Sequence, residues 1–194
     1  MLISEVFCAQ SSLHVASGIQ ADEYREYLRE MFFEMLDQGL SLAAIDPSTG
    51  TLRACLIACD YDLQPQFHGE LPDKYLAKAA LLEHLDGLYR QVRDVAPGSC
   101  LLVDMAAVDP CASQAGIYQL LRAEIELVAS RAGFKWIVGE LSAAATQHVC
   151  VEKLRQRVVA TVRYADFEYA GEKPFASIAD PETIILAEAE VRVC

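Results

Sequence analysis

Two carboxylates in otherwise apolar segments are the first candidates for chemistry. Asp104 lies inside the run CLLVDMAAVDP, and Glu140 lies near the end of KWIVGEL. An acidic side chain among apolar residues costs free energy unless it has a partner, and such groups are enriched at functional sites. Either carboxylate could accept the proton that an ammonium must lose before its nitrogen attacks a carbonyl carbon. Both also suit a purely structural role as hydrogen-bonded carboxylates.

The segment that continues from Asp104 has the pattern of an anion-binding loop. LLVDMAAVDPCASQAGIYQLL predicts a strand, a loop of small residues and then a helix. Backbone N–H groups converge at the start of a helix, and the helix dipole favours a phosphate there. A loop with a single glycine is nevertheless a weak motif. On these residues alone, an ordinary strand–helix connection without a ligand is the simpler explanation.

The hydrophobic pattern predicts the elements that position these residues. Apolar residues at steps of three and four predict helices over about 21–38, 73–95, 114–132 and 146–156. By strand alternation, Asp104 is expected to share a face with Ala106 and Val108. The predicted strands are ISEVFCAQSSLHV, LSLAAID, TLRACLIACD, CLLVDMAAVDP, KWIVGEL, VVATVRYADF and TIILAEAEVRV.

These elements follow the order β-α-ββ-α-β-α-β-α-β-β. A turn signal at 46–50 joins the second and third strands into a hairpin, and strand–helix–strand units follow. The order predicts an α/β fold with a mixed, mostly antiparallel central sheet and helices on both faces. The length of 194 residues predicts a single domain over 1–194.

Charge and cysteine content restrict the partners and the compartment. The net charge of −12 disfavours nucleic acid and anionic membranes as partners. It would suit a cationic acceptor such as an amine, but charge alone is more simply explained by solubility. The seven cysteines are odd in number and lack zinc-site spacing, so no metal is expected. They are expected to be free thiols among apolar residues. Together with the lack of a signal peptide or membrane segment, this predicts a cytoplasmic protein.

The order of the elements and several short motifs together resemble the GNAT superfamily of N-acetyltransferases. Within it, the sequence is most similar to the arylalkylamine acetyltransferase-like members. The resemblance extends from about Ala21 to Val193. The segments that carry it are LSLAAIDPSTGTLRACLIA, AAVDP, GIYQLLRAEIELVASRAGFKWIVGEL, and VEKL followed by VRYADFEYAGEKPF.

The resemblance implies that acetyl-CoA is the cofactor and that two segments bind it. In the family, a splayed central strand offers its backbone groups to the pantetheine arm. The corresponding residues here are Met105, Ala106, Ala107 and Val108. The family's pyrophosphate loop, Gln/Arg-x-x-Gly-x-Gly/Ala, aligns with Ser113, Gln114, Ala115, Gly116, Ile117 and Tyr118.

The sequence departs from the family pattern at three positions. Ser113 stands where Gln or Arg is expected, so the loop lacks its usual positive charge. Tyr118 stands where Gly or Ala is expected and would crowd the pyrophosphate. Val151 replaces the tyrosine that protonates the leaving thiolate in many members. Cys150 and Tyr164 are the candidates to replace that tyrosine.

The sequence therefore predicts an acetyl-CoA-dependent N-acetyltransferase that acts on a small amine by direct attack, with Asp104 or Glu140 as base. Donors near Ala106 would polarise the thioester carbonyl. The alternative is a catalytically inert GNAT-like domain that binds acyl-CoA or a protein partner. A third hypothesis is an interaction domain unrelated to coenzyme A, which would have neither splayed central strands nor a ligand-sized cleft. A homodimer is possible if the C-terminal strand is an exposed edge.

Overall fold

A computed structural model describes residues 1–65, 67, 72–113 and 115–192. Its centre is one six-stranded sheet in the order β1-β2-β3-β4-β6-β5. The strands are β1 Leu42–Ile45, β2 Leu52–Asp60, β3 Cys100–Val108, β4 Trp136–Leu141, β5 Arg157–Arg163 and β6 Thr183–Glu190. The helices are α1 Leu2–Gln10, α2 Ser12–Ser17, α3 Ala21–Asp37, α4 Asp73–Val92, α5 Ile117–Ala132 and α6 Ala144–Gln147.

The sheet is mixed, and β3 with β4 is its parallel pair among the described strands. All other neighbouring strands pair antiparallel. This confirms the predicted fold class. The C-terminal strand β6, however, lies between β4 and β5 rather than at an edge. The expectation of an exposed edge at β6, on which a strand-paired homodimer depended, is therefore wrong.

Two hydrophobic clusters cover the two faces of the sheet. One cluster joins α1, α2, α3 and α4 to one face and includes Leu28, Leu85 and Leu102. The other joins α5 to the opposite face through residues such as Leu121 and Val103. Four helices thus cover one face, which we call the α1–α4 face, and α5 covers the other, which we call the α5 face.

The N-terminal segment forms two helices, so the strand predicted for ISEVFCAQSSLHV is wrong. Leu2, Ile3, Val6 and Phe7 recur at helical spacing and pack toward the α1–α4 face. Burial of that apolar stripe outweighs the local β-propensity of valine and phenylalanine. As a result, these helices bring His14 close to the centre of the sheet.

The segment expected to form the fourth helix begins earlier and is not a regular α-helix. The short α6 continues into a π-helical turn over His148–Lys153, which replaces the single helix predicted for 146–156. The third predicted helix, α5, begins at Ile117, three residues after the expected start. None of the helices in the described part of the chain is long and apolar enough to cross a membrane.

A β-bulge in β3 changes the predicted direction of Asp104. Ile57 of β2 pairs with Met105, but the adjacent Ala58 pairs with Val103, so Asp104 is an extra residue in β3. A bulge of this kind interrupts the alternation of side chains. Asp104 consequently faces the α1–α4 side with Tyr24, whereas Ala106 and Val108 pack on the α5 face. The expectation that Asp104 shares their face is wrong.

Candidate functional site

The centre of the sheet opens between β3 and β4. Their parallel pairing runs from Cys100 and Trp136 to Val103 and Gly139 and ends there. Beyond that point β3 pairs with β2 and β4 pairs with β6, so the facing edges of β3 and β4 separate. On that edge, the pairing with β4 does not extend to residues 104–108 of β3. The assignment of Met105, Ala106, Ala107 and Val108 to the pantetheine arm, which the resemblance implies, stays a prediction.

A cleft of about 1450 Å³ passes through this opening. Its lining includes Asp104, Lys78 and Glu140 on the α1–α4 side and Gly116 and Tyr118 on the α5 side. The cleft therefore connects the two faces of the sheet at one point. A reagent bound on one face can meet a reagent bound on the other.

The two predicted carboxylates are brought together on the α1–α4 side. Burial raises the pKa of Asp104 to about 6, although the charge of Lys78 opposes the rise. Burial, with the nearby charges of Asp104 and Asp86, raises the pKa of Glu140 to about 8. Such values place both groups in the range where a carboxylate can both take up and release a proton near neutral pH.

Two further residues of this cluster escaped the sequence analysis. Lys78 Nζ lies 3.0 Å from His14 Nε2, and His14 Nδ1 lies 3.0 Å from Ser11 Oγ. Because an ammonium only donates, Nε2 accepts from Lys78, and Nδ1 carries the proton that it donates to Ser11. Burial and the charge of Lys78 lower the pKa of His14 to about 2, so the imidazole is neutral. Residues 64 apart in sequence gave no spacing signal for this contact.

Aromatic rings form one wall of the cleft beside these charges. The ring of Tyr27 lies 5.9 Å from Tyr24, 5.5 Å from Tyr75 and 5.0 Å from Phe67. Lys78 Nζ lies 4.9 Å from the centre of the Tyr24 ring. Aromatic faces beside carboxylates suit a ligand that combines a ring with a cationic amine.

On the α5 side, the start of α5 offers uncapped backbone donors. Gly116 precedes the helix with a left-handed φ of 73°, and no side chain of the described residues caps the first turn. The N–H groups of the first turn therefore remain available to an anion. Ser113, Gly116 and Ile117 line the cleft at this point, whereas Ala115 does not line it. The predicted Gln114 lies outside the described residues.

Tyr118 turns toward the segment that follows β4. Its ring packs beside Leu141, Cys150 and Val151, and its hydroxyl lies 3.4 Å from Cys150 Sγ. Burial raises the pKa of Tyr118, and the charge of Arg122 opposes that rise. The phenol thus reaches the part of the chain where the family pattern would place a tyrosine at position 151.

Arg122 is an unusual residue on the buried face of α5. It is 3% exposed, and within the described residues none of its three side-chain nitrogens has a hydrogen-bond partner. One nitrogen lies 3.7 Å from the position that a Cβ on Gly139 would take. The guanidinium therefore lies close to the point where β3 and β4 separate.

The second candidate for a proton donor lies elsewhere. Tyr164 is fully buried and packs on Phe175 with ring centres 6.3 Å apart, away from the residues that line the cleft. Cys150 is also fully buried, and its thiol contacts the Tyr118 hydroxyl. Of the tyrosines considered, Tyr118 is the one that reaches the cleft from the α5 face.

No protein-family model and no curated protein sequence matches the chain. Several solved structures, however, are similar to this chain. The C-terminal condensation domain of Ebony, in complex with beta-alanyl-dopamine, is 18% identical, with a TM-score of 0.88 over 98% of this chain and 91% of that one. Arylalkylamine N-acetyltransferase 2 from Aedes aegypti is 19% identical, with a TM-score of 0.80 over 98% and 93%.

A third structure extends the comparison to a different acceptor. The polyamine N-acetyltransferase of Drosophila melanogaster, which catalyses the formation of N-acetylagmatine, is 17% identical, with a TM-score of 0.65 over 89% of this chain and 82% of that one. At such identities the likeness is one of fold. The resemblance noted in the sequence is confirmed at that level: this chain has the fold of the arylalkylamine and polyamine N-acetyltransferases.

Proposed function

We propose that this protein is an N-acyltransferase that moves an acetyl group from acetyl-CoA to a small primary amine. The observation that carries the proposal is the opening between β3 and β4, which joins an acidic, aromatic pocket to the uncapped start of α5. An interaction domain unrelated to coenzyme A would need neither the opening nor the cleft. We further propose that residues 1–194 form one domain around the single sheet.

The donor would bind on the α5 side of the opening. The residues proposed to hold it are the free strand edge (Met105, Ala106, Ala107, Val108) and the loop (Ser113, Gln114, Ala115, Gly116, Ile117, Tyr118). The first-turn N–H groups fit a pyrophosphate because no side chain within the described part of the chain caps them. No cationic side chain lies in 113–118, so backbone donors and the helix dipole must provide the attraction.

The acceptor would bind on the α1–α4 side. Bound acetyl-CoA would supply the acetyl group as an activated thioester. Asp104 and Glu140 hold the acceptor ammonium and take its proton, since the nitrogen needs a free lone pair to attack. Because the pKa of Glu140 is raised to about 8, its deprotonated form is a strong base for a carboxylate, and the fraction in that form grows as the pH rises toward 8. Tyr27 and its aromatic neighbours would pack against the apolar part of the acceptor in the same pocket.

Tyr118 would hold the proton for the departing sulfur. Tyr118 lines the cleft on the donor side, and its hydroxyl contacts Cys150. A tyrosinate formed there would gain the guanidinium of Arg122 as its counter-ion, and this guanidinium has no hydrogen-bond partner among the residues that the structure describes. This assignment accounts for both the bulky residue at 118 and the buried cation beside it. Tyr118 would then take the role of the proton-donating tyrosine, which in this chain is replaced by Val151.

A second candidate function is amide formation between an amino acid thioester and an aromatic amine. The likeness to a condensation domain bound to beta-alanyl-dopamine favours it. The absence of a cation from the loop favours it as well, because a donor other than free coenzyme A needs no pyrophosphate contact. The two candidates share the acceptor pocket and differ in the donor.

The first experiment is a thermal-shift titration with acetyl-CoA, with free CoA and ATP as controls. At about 100 times its dissociation constant, a ligand adds about 2.7 kcal/mol, which raises the melting temperature by about 5–10 °C at this size. A shift with both CoA species and none with ATP supports the proposed donor. No shift at millimolar acetyl-CoA contradicts it.

The second experiment identifies the reaction. The protein is incubated with dopamine or agmatine and either acetyl-CoA or a β-alanyl thioester, and N-acyl products are measured by chromatography with mass detection. The thiol that the reaction releases is not measured with a thiol-reactive dye, because Cys111 of the protein is exposed and free and would react with the dye as well. Acetylated amine supports the first candidate and β-alanyl amide the second. Donor binding without any product indicates the catalytically inert alternative.

A further inference from the structure

Lys78 places a primary amine inside the pocket proposed for the acceptor. It projects from α4 into the cleft. There the charges of Asp104 on β3 and Glu140 on β4 stabilise its ammonium form. Its Nζ donates to the neutral His14 at 3.0 Å and lies above the ring of Tyr24. These are the carboxylates and the aromatic face that the proposed function assigns to an external amine.

The surroundings of Lys78 favour its neutral form more than water does. Burial lowers its pKa to about 8, although nearby carboxylates oppose the change. A substantial fraction of the side chain is therefore an uncharged amine at mildly alkaline pH, and only the uncharged amine is a nucleophile. The groups that face Lys78 are Cys8 of α1, His14 of α2, Tyr24 of α3, Asp104 of β3 and Glu140 of β4.

We propose that Lys78 is itself an acyl acceptor, so that the protein acylates its own Lys78 when an acyl thioester is present and no external amine fills the pocket. This inference rests on the proposed function, because it uses the same donor and the same base. The lysine would act as a tethered competitor of the amine. Its position on a helix, rather than on a mobile loop, holds the nitrogen beside the opening.

The step balances without another reactant. The Lys78 nitrogen attacks the thioester carbonyl carbon; an N–C bond forms and the C–S bond breaks, and the electron pair stays on sulfur. The nitrogen loses one proton to Glu140, and the sulfur takes up one from Tyr118 or water. The products are an amide on Lys78 and a free thiol.

Acylation would also change the pocket. The amide carries no charge, so Asp104 and Glu140 would lose the cation that lowers their pKa values. Both carboxylates would then bind protons more tightly at neutral pH and serve less well as bases. Self-acylation would therefore slow the transfer to external amines when donor is in excess and acceptor is scarce.

The test is mass spectrometry of the purified protein after incubation with acetyl-CoA alone. Peptide mapping should find the acetyl group on Lys78 at least about tenfold faster than on any other lysine, because the amine is held beside the donor. Lys74, one turn earlier on α4, is ion-paired with Glu23 and does not line the cleft, so it is the matched control. Lys78→Arg should abolish the modification seen by intact mass, and Lys74→Arg should retain it. Dopamine should slow it by competition.

The possible results distinguish self-acylation of Lys78 from acyl transfer to an external amine. Selective modification of Lys78 that disappears on unfolding supports the inference. Equal modification of all lysines, or selective modification that persists in the unfolded chain, overturns it. An external amine that is acetylated while Lys78 stays unmodified overturns the inference and leaves the proposed function intact. No donor-induced thermal shift and no acylation of either amine overturns both.

Discussion

The hydroxyl of Tyr118 lies 3.4 Å from the sulfur of Cys150, so the two side chains join α5 to the π-helical turn. If this phenol supplies the proton to the departing sulfur, Tyr118→Phe should lower kcat by about 10²–10⁴-fold, the usual contribution of a general acid. The KM for acetyl-CoA should change little, because the ring remains. Steady-state kinetics with acetyl-CoA and dopamine measure both quantities.

Two variants control this prediction. Cys150→Ser keeps a hydroxyl-sized partner beside Tyr118 and should retain most activity. Tyr164→Phe, in the core beside Phe175, should leave kcat unchanged once folding has been verified. Wild-type kcat in Tyr118→Phe would remove this residue from the mechanism.

The pH dependence of kcat/KM should follow the two carboxylates. With pKa values raised to about 6 at Asp104 and about 8 at Glu140, the base becomes available as pH rises, so the rate should increase between about pH 6 and 8. Lys78→Met removes a cation that lowers both pKa values, so the rising limb should move to higher pH. Glu140→Gln should reduce the plateau about 10²-fold or more. A rising limb that stays in place in Lys78→Met argues against this electrostatic coupling.

The loop before α5 can be tested by restoring a charge. Ser113→Arg adds a cation at an exposed position beside the proposed pyrophosphate site. It should tighten acetyl-CoA binding by a few-fold to about tenfold, with the gain lost at high salt. Titration calorimetry at two salt concentrations measures this. Leu127→Arg, toward the other end of α5, is the matched control, and an equal gain there would indicate a nonspecific charge effect.

A buried ion pair stabilises the far end of the sheet. Glu188 of β6 is 1% exposed and accepts hydrogen bonds from Arg93, Arg157 and Tyr89. Burial alone would raise the pKa of Glu188. The hydrogen bonds from Arg93, Arg157 and Tyr89 together lower it by more than burial raises it, so the net shift of the pKa is downward. Its contribution to stability is therefore present at neutral pH and is lost as the pH falls through the carboxyl range.

Glu188→Gln should lower the free energy of unfolding by about 2–4 kcal/mol at pH 7, because it leaves Arg93 without its partner. The difference from wild type should shrink at acid pH. Urea unfolding at pH 7 and near pH 4 measures both effects. Glu182→Gln breaks the exposed pair with Arg163 and should cost less than about 1 kcal/mol. Equal losses in the two variants would contradict the role assigned to Glu188.

The sequence predicted the elements whose periodicity is strong. On α3, Tyr24, Leu28 and Met35 recur at steps of four and seven residues, as expected for one apolar side of a helix, and all three are buried. On α5, Arg122 is buried together with Leu121 and Ile125. A hydrophobic pattern assigns charged residues to the solvent side of a helix, so it could not predict the burial of Arg122. The N-terminal helices were mistaken for a strand because tertiary packing there outweighs local propensity.

The candidate site was predictable only in part. Asp104 and Glu140 stood out because each interrupts an apolar run, and the structure places both in the cleft. The side on which Asp104 lies depends on a bulge, which changes the alternation without a marker in the sequence. His14 and Lys78 meet through the packing of α2 on α4, a contact set by tertiary structure rather than by spacing.

The sheet separates the donor side of the proposed reaction from the acceptor side, and the opening between β3 and β4 connects them. The donor side is built from one helix and a strand edge, and the acceptor side from four other helices. Substitutions in α1–α4 can reshape the acceptor pocket without touching a donor contact. An enzyme divided in this way can exchange one amine for another during evolution while its thioester chemistry is inherited unchanged.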